Sequence, residues 1–360
     1  MRNLRSALAL TSVLALGLTA CGTSTDETTN EPAPAETTAA APETTAAETE
    51  TTPAETEPTD SEPAEAGDVP KGNGETIYLV SKGFQHRFWQ AVKEGAEQAG
   101  QEYNYTIEFV GPQDETKVTE QLDMLKTALD SQPAAIGLAA LDSGAAESLL
   151  TEIQAANIPI IAFDSGVDSD IPLTTVSTDN TAAAAEAAKH MAELIGNTGT
   201  VGLICHDQTS ATGKQRCDGF QDWMAENAPD ITVLEPQVAG EVGLAANTAK
   251  SMIQANPDLV GIYGTNEAAA TGAIQGANES GKEGLTVVGF DSGKTQLEAI
   301  RNGSQAGAVT QSPVLMGYET VVAAIKAING QELPETIDSG FAWYDASNID
   351  DPEIAGNLYE

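Results

Sequence analysis

The sequence predicts an α/β protein made of two successive doubly wound parallel sheets, and two observations carry that prediction. From Thr76 onward, short β-prone runs alternate with Ala-rich segments of helical spacing; the alternation starts afresh at Thr200, with no flexible linker between 71 and 360. Strands separated by helices of this length imply βαβ units and a parallel sheet. The first lobe has strand runs at Ile77 to Val80, Thr106 to Val110, Ala135 to Leu138 and Ile158 to Phe163. The second has runs at Thr200 to Cys205, Thr232 to Leu234, Leu259 to Tyr263, Thr286 to Phe290 and Ala306 to Thr310, with helices expected near 213–228, 243–256, 267–281 and 293–302. A helix over Pro313 to Ile328 and a strand over Phe341 to Tyr344 complete the pattern.

What precedes the body is of another texture. Arg2 and Arg5 head an apolar run from Leu8 to Leu18, too short for a bilayer span of roughly 20 residues, so residues 1–20 read as a processed leader. The tetrad Leu18-Thr19-Ala20-Cys21 resembles a bacterial lipobox, which implies a lipidated Cys21 as mature N-terminus; an ordinary secretory signal is the alternative. Residues 21–70 are rich in Thr, Glu, Ala and Pro, with 13 acidic and no basic side chains, and the first aromatic of the chain is Tyr78. Such a segment has too little apolar surface to offset its ordering entropy and is expected to be an extended, disordered spacer. Its length suits a domain tethered to the outer face of a Gram-positive cell membrane. With 54 acidic against 16 basic residues in 360 the formal charge is −38, which disfavours nucleic acid and anionic lipid surfaces as partners, leaving the membrane to the anchor alone.

In open α/β sheets ligands bind beyond the carboxyl ends of the strands. The residues there are Lys82 to Trp89, Leu141-Asp142, Asp164-Ser165, His206 to Arg216, Thr265-Asn266-Glu267, Asp291-Ser292 and Gln311. Carboxylates, amides and an arginine beside adjacent aromatics are what a polyhydroxylated ring requires: planar donors and acceptors for its hydroxyls and flat apolar faces for its C–H groups.

Residues 75–345 resemble the sugar-binding proteins of ABC importers, the ribose-binding type of the type I periplasmic binding proteins. The resemblance rests on the order and separation of Lys82 to Ala96, Asn157 to Asp164, Ser177-Thr178-Asp179-Asn180, Arg216 to Phe220, Asn256-Pro257-Asp258, Asn266-Glu267 and Val287 to Asp291. It implies two lobes, 71–178 with 312–340 and 179–311 with 341–360, joined by a three-strand hinge where the chain crosses near 177–180, 310–313 and 338–341. It implies that Phe88 and Trp89 flank a sugar ring, that Asp164 accepts from its hydroxyls, that Arg216 bridges ligand and carboxylates, that Asn266 and Asp291 contribute from the second lobe and that Gln311 contacts ligand at the hinge. Buried packing for the aromatics, a surface salt bridge for Arg216 and turn or helix capping for Asp164, Asn266 and Asp291 are the structural alternatives. The implied partners are a monosaccharide and a membrane permease; the protein is expected to be a monomer, without cofactor, metal or catalytic activity.

The chain departs from the ribose type at Ser165, where an arginine is usual, and near Gly240, where an aromatic is usual. Lys82, His86 and Arg87 make the first loop more basic, and Lys82 and His86 stand as ligand donors or as solvent-facing groups. Gly289 to Thr295 has only three residues between its glycines and is no Walker loop. Cys205, His206 and Cys217 lack a fourth ligand at zinc spacing; the two cysteines are either a disulfide or two buried thiols. Three other functions are weighed. A repressor core is opposed by the leader and the charge; a sensor of a furanose-like signal such as autoinducer-2 remains open; a carbohydrate enzyme using Asp164 and Asp291 is disfavoured, because Arg216 is expected to hold both ionised.

Overall fold

The computed structural model describes residues 69–84 and 86–359. The leader, Cys21 and the spacer up to residue 68 lie outside the described residues.

The first sheet is laid down by β1 (Thr76–Val80), α1 (Arg87–Tyr103), β2 (Thr106–Val110), α2 (Val118–Asp130), β3 (Ala135–Leu138), α3 (Glu147–Ala155), β4 (Ile160–Phe163) and β5 (Thr175–Ser177). The chain then enters α4 (Asn180–Leu194), β6 (Gly199–Cys205), α5 (Ala211–Asn227), β7 (Ile231–Val233), β8 (Gln237–Val238), α6 (Val242–Ala255), β9 (Leu259–Gly264), α7 (Glu267–Ser280), β10 (Thr286–Phe290), α8 (Lys294–Asn302) and β11 (Gly307–Gln311). It closes with α9 (Pro313–Ile328), β12 (Thr336–Asp338), β13 (Phe341–Asp345) and the single turn α10 (Pro352–Ala355). One sheet runs β12-β5-β4-β3-β1-β2, parallel throughout; the other runs β13-β11-β10-β9-β6-β7, with β8 beside β6. Its edge strand β13 is antiparallel to β11, a departure from the all-parallel expectation that follows from β13 entering directly after a crossing rather than after a helix.

Helices cover both faces of each sheet, so β3 and β4 are buried along their whole length. Close packing is most demanding where α1 meets α9. A methyl on Gly95 would overlap the carbonyl oxygen of Val314, and one on Gly317 would overlap that of Val92. Only glycine lets those two backbones approach as they do.

Three crossings join the sheets: β5 to α4, β11 to α9, and β12 to β13. They lie side by side. Ser339 donates its N–H to the Ser177 carbonyl at 3.0 Å, Thr178 Oγ1 donates to Gln311 Oε1 at 2.9 Å, and the Asp179 and Gly340 amides share Asp338 Oδ1. The last described residues turn back across this region: Tyr359 packs its ring against Phe88 at 6.0 Å, and its hydroxyl accepts from the Ser292 amide.

Candidate functional site

The carboxyl ends of both sheets face one narrow cleft. Its walls include Lys82, His86, Phe88, Trp89 and Asp164 from the first sheet's side, and Arg216, Asn266, Asp291 and Gln311 from the second's. Of the ten residues singled out in the sequence, the structure does not bring Ser165 to this wall. It is fully buried; its N–H donates back to the Phe163 carbonyl and its own carbonyl accepts from Ala140, which continues the strand pairing and turns the side chain inward. Three further residues line the cleft: Glu115, His206 and Thr212. His206 and Thr212 lay within the strand-end strip but were not picked out. Glu115 follows the second strand, whose end lay outside that strip.

Two aspartates occupy equivalent turns. Phe163-Asp164-Ser165-Gly166 follows β4 and Phe290-Asp291-Ser292-Gly293 follows β10, and this repeat is visible in the sequence. Asp164 and Asp291 take φ of 55° and 74°, the left-handed region that short polar side chains tolerate best, and each donates its amide to the adjoining strand, to Val176 at 2.8 Å and Val309 at 2.7 Å. Their carboxylates differ. Asp291 accepts from Gln311 Nε2 at 2.7 Å and from the Glu267 amide at the start of α7 at 2.9 Å, with Arg216 Nη1 3.9 Å away. Asp164 is 5% exposed, and its carboxylate receives no hydrogen bond or ion pair among the described residues.

That isolation sets its proton affinity. Burial pushes Asp164 up to about 6 against the attraction of Lys82 and Arg216. Desolvation thus outweighs the pull of both cations on this carboxyl, which still ionises below neutral pH.

Arg216 lies over the Phe290 ring at 3.8 Å, donates from Nε to Asn180 Oδ1 at 2.6 Å and from Nη1 to the Thr265 carbonyl at 3.2 Å. Nη2 has no hydrogen bond among the described residues. Asn266 caps α7 through Oδ1, which accepts from Ala269, and its Nδ2 is likewise uncommitted among them. Gln311, by contrast, spends Oε1 on Thr178 and Nε2 on Asp291. It lines the cleft with both ends engaged, tying the hinge to the second-lobe carboxylate.

On the opposite wall Phe88 and Trp89 meet edge to face at 5.0 Å, and Trp89 Nε1 donates to Glu115 Oε1 at 2.9 Å. Lys82 is 3% exposed, with Nζ 3.1 Å from Thr212 Oγ1 and 4.0 Å from Glu115. Burial works against its charge, but Glu115, Asp207 and Asp164 prevail and hold its pKa above the usual lysine value. Burial likewise opposes charge on Glu115, and Lys82 and His86 overcome it, holding the carboxylate below its ordinary range. His86 reaches Glu267 across the cleft at 3.4 Å and is raised despite burial, chiefly by that carboxylate. His206 behaves oppositely: burial lowers it to about 4, so it is neutral, with Nδ1 2.8 Å from Thr265 Oγ1 and Nε2 3.3 Å from Asp207. Because Asp207 requires a donor, Nε2 carries the proton.

Cys205, at the end of β6, and Cys217, in α5, are joined by a disulfide across a Cα–Cα distance of 5.7 Å, so neither thiol is available to a metal. Beyond the cleft the lobes also touch at Ser143, whose amide donates to Thr209 at 3.0 Å and whose hydroxyl accepts from Lys214 Nζ at 2.8 Å.

Two α/β lobes joined by three adjacent crossings, with a polar and aromatic cleft between their strand ends, define a two-lobed solute-binding protein. Residues 77–332 match the family model described as periplasmic binding protein domain, and the chain belongs to that family. Among curated relatives it is 24% identical to the ribose import binding protein of Bacillus subtilis, over 73% of this chain and 85% of that one. It is equally similar to the D-apiose import binding protein of Actinobacillus succinogenes, over 73% and 86%. Among solved structures, an ABC transporter solute-binding protein from Agrobacterium vitis bound with α-D-tagatopyranose is 30% identical, covering 79% of this chain and 99% of its own, with a TM-score of 0.77. One from Agrobacterium radiobacter in complex with D-arabinose is 29% identical at TM-score 0.76, covering 79% and 99%.

Proposed function

We propose that the chain captures a monosaccharide between its lobes, 71–178 with 312–340 and 179–311 with 341–360, and delivers it to an ABC import permease. The observation that carries this reading is Asp164: a buried carboxylate with no protein donor, opposite an uncommitted guanidinium nitrogen and an uncommitted amide. A buried acceptor of this kind calls for donors from a ligand. Adjacent hydroxyls donating to Asp164 and accepting from Arg216 and Asn266 satisfy all three, while Phe88 and Trp89 face the ring carbons. Lys82, His86 and Asp291 complete the binding surface, and Gln311 acts through Asp291. Because Asp164 belongs to one lobe and Arg216 and Asn266 to the other, ligand binds the closed form more tightly than the open one and shifts the population toward it.

The protein works as a monomer on the extracytoplasmic face of a Gram-positive membrane, held by lipid on Cys21, with the spacer giving reach; it binds its sugar without transforming it. The relatives named as import binding proteins favour this role over a signalling one.

Thermal unfolding against D-ribose, D-arabinose, D-tagatose, D-fucose, D-apiose and xylitol tests the reading. A ligand at a hundred times its dissociation constant adds about 2.7 kcal/mol, which raises the midpoint of a body this size by a few degrees. No shift with any monosaccharide, from a cooperatively folding protein, would refute it.

A further inference from the structure

The disulfide encloses a segment that supplies much of the second lobe's share of the cleft. His206 is the chain neighbour of Cys205, Arg216 is the neighbour of Cys217, and Thr212 lies between them. Both flanking side chains converge on Thr265, His206 through its ring and amide to Oγ1, Arg216 through Nη1 to the carbonyl. The rest of the segment is held by local capping, with Asp207 Oδ1 accepting from the Thr209 and Ser210 amides and Ser210 Oγ from Gly213 to start α5, and by first-lobe contacts of Thr209 with Ser143 and Leu141 and of Thr212 with Lys82. The corresponding first-lobe segment, Lys82 to Trp89, has no cysteine.

The bond is buried, with Cys205 1% and Cys217 9% exposed, inside a cluster already closed by the stacked Phe220 and Tyr263 rings at 4.4 Å. Its two ends fix where β6 stops and where α5 presents its second turn. A long side chain that must be ordered when ligand binds weakens binding, and one ordered beforehand does not. Arg216 is such a side chain.

We propose that the Cys205–Cys217 disulfide is a positioning element of the cleft, holding His206 and Arg216 in one mutual arrangement around Thr265 so that ligand meets a preformed surface. The ligand half of this proposal rests on the sugar-binding reading; the geometric half does not.

The test is the Cys205→Ala/Cys217→Ala double variant of the full chain, with Cys205→Val/Cys217→Ala as a second version that refills part of the lost volume. Two quantities are read. Calorimetry with whichever panel sugar shifts the parent's melting should give a dissociation constant about tenfold weaker, equal to about 1.4 kcal/mol. NMR titration of His206, which faces Asp207, Lys82, Arg216 and Glu115, should show its pKa moving up from about 4 toward the ordinary imidazole value as water reaches the loosened ring. A purely structural bond lowers the melting temperature and leaves both quantities unchanged, and that result overturns the proposal. So does failure of both versions to fold, which assigns the bond to stability alone. If no panel sugar binds the parent, the sugar reading has failed, and the His206 titration still decides the positioning role.

Discussion

Asp164→Asn should make the protein more stable at neutral pH while removing its ligand. Folding raises the carboxyl from its ordinary 3.8 to about 6, a difference of roughly two units at about 1.36 kcal/mol each. The sign follows from linkage. A carboxyl raised in the folded state holds its proton more tightly there, so its contribution is fully favourable below about pH 4 and is lost as pH rises through about 6. At pH 7 the ionised group therefore costs about 3 kcal/mol, with the attraction of Lys82 and Arg216 already included. The amide carries no such cost. At about 2.1 cal/mol/K of unfolding entropy per residue over about 290 residues, the variant's midpoint should rise on the order of 5 °C at pH 7. That advantage should shrink to about zero near pH 3, where the parent is also neutral at this position. Scanning calorimetry of both proteins from pH 3 to 7.5 measures the difference, and titration with the panel sugar shows the binding lost. A variant less stable than the parent at pH 7, or a gain that is the same at both ends of the range, would show that desolvation of Asp164 does not govern this site.

The same carboxyl gives the parent's binding a pH dependence: hydroxyl donors favour the anion, so affinity should be full above about pH 6 and fall as pH drops through it; calorimetry between pH 5 and 7.5 decides. Gln311→Leu removes the donor to Asp291 and the acceptor of Thr178 together, and a hydrogen bond to a charged group predicts a loss of about 1.5–3 kcal/mol in a urea unfolding curve. Lys214→Ala cuts a half-exposed bond between the lobes outside the cleft, so sugar release in stopped flow should quicken by no more than about fivefold with the unfolding midpoint nearly unchanged.

The periodicity of the sequence carried most of the architecture because parallel strands covered on both faces must be continuous apolar runs, and Ala135 to Leu138 or Thr286 to Phe290 are little else. What it did not carry was short. β5, β8 and β12 have three residues or fewer, and runs of that length contain no period to detect. The rule that ligands lie beyond strand ends led to Lys82, Asp164 and Arg216, and the structure brings these to one cleft. Applied to the edge strand β2, it would also have led to Glu115, which joins Trp89 to Lys82. Ser165 shows where that rule stops. Two adjacent residues after a strand point to different places, and which one faces the cleft is set by a backbone turn at φ 55° that composition does not encode.

The repeated Phe-Asp-Ser-Gly turns give the cleft two aspartates in matching backbone settings, yet only one is left open. Asp291 is consumed by Gln311, by the first amide of α7 and by the nearby Arg216, so it orders the second lobe and links it through Gln311 and Thr178 to the crossing strands. Asp164 has no such duties and bears its desolvation uncompensated. A ligand that donates to Asp164 offsets its desolvation, and Asp164 lies in the first lobe while the free donors Nη2 of Arg216 and Nδ2 of Asn266 lie in the second. No sugar can satisfy Asp164 and those donors together while the lobes stand apart. The energy recovered at Asp164 is therefore linked to closure, and closure is the property that lets a partner distinguish loaded from empty protein.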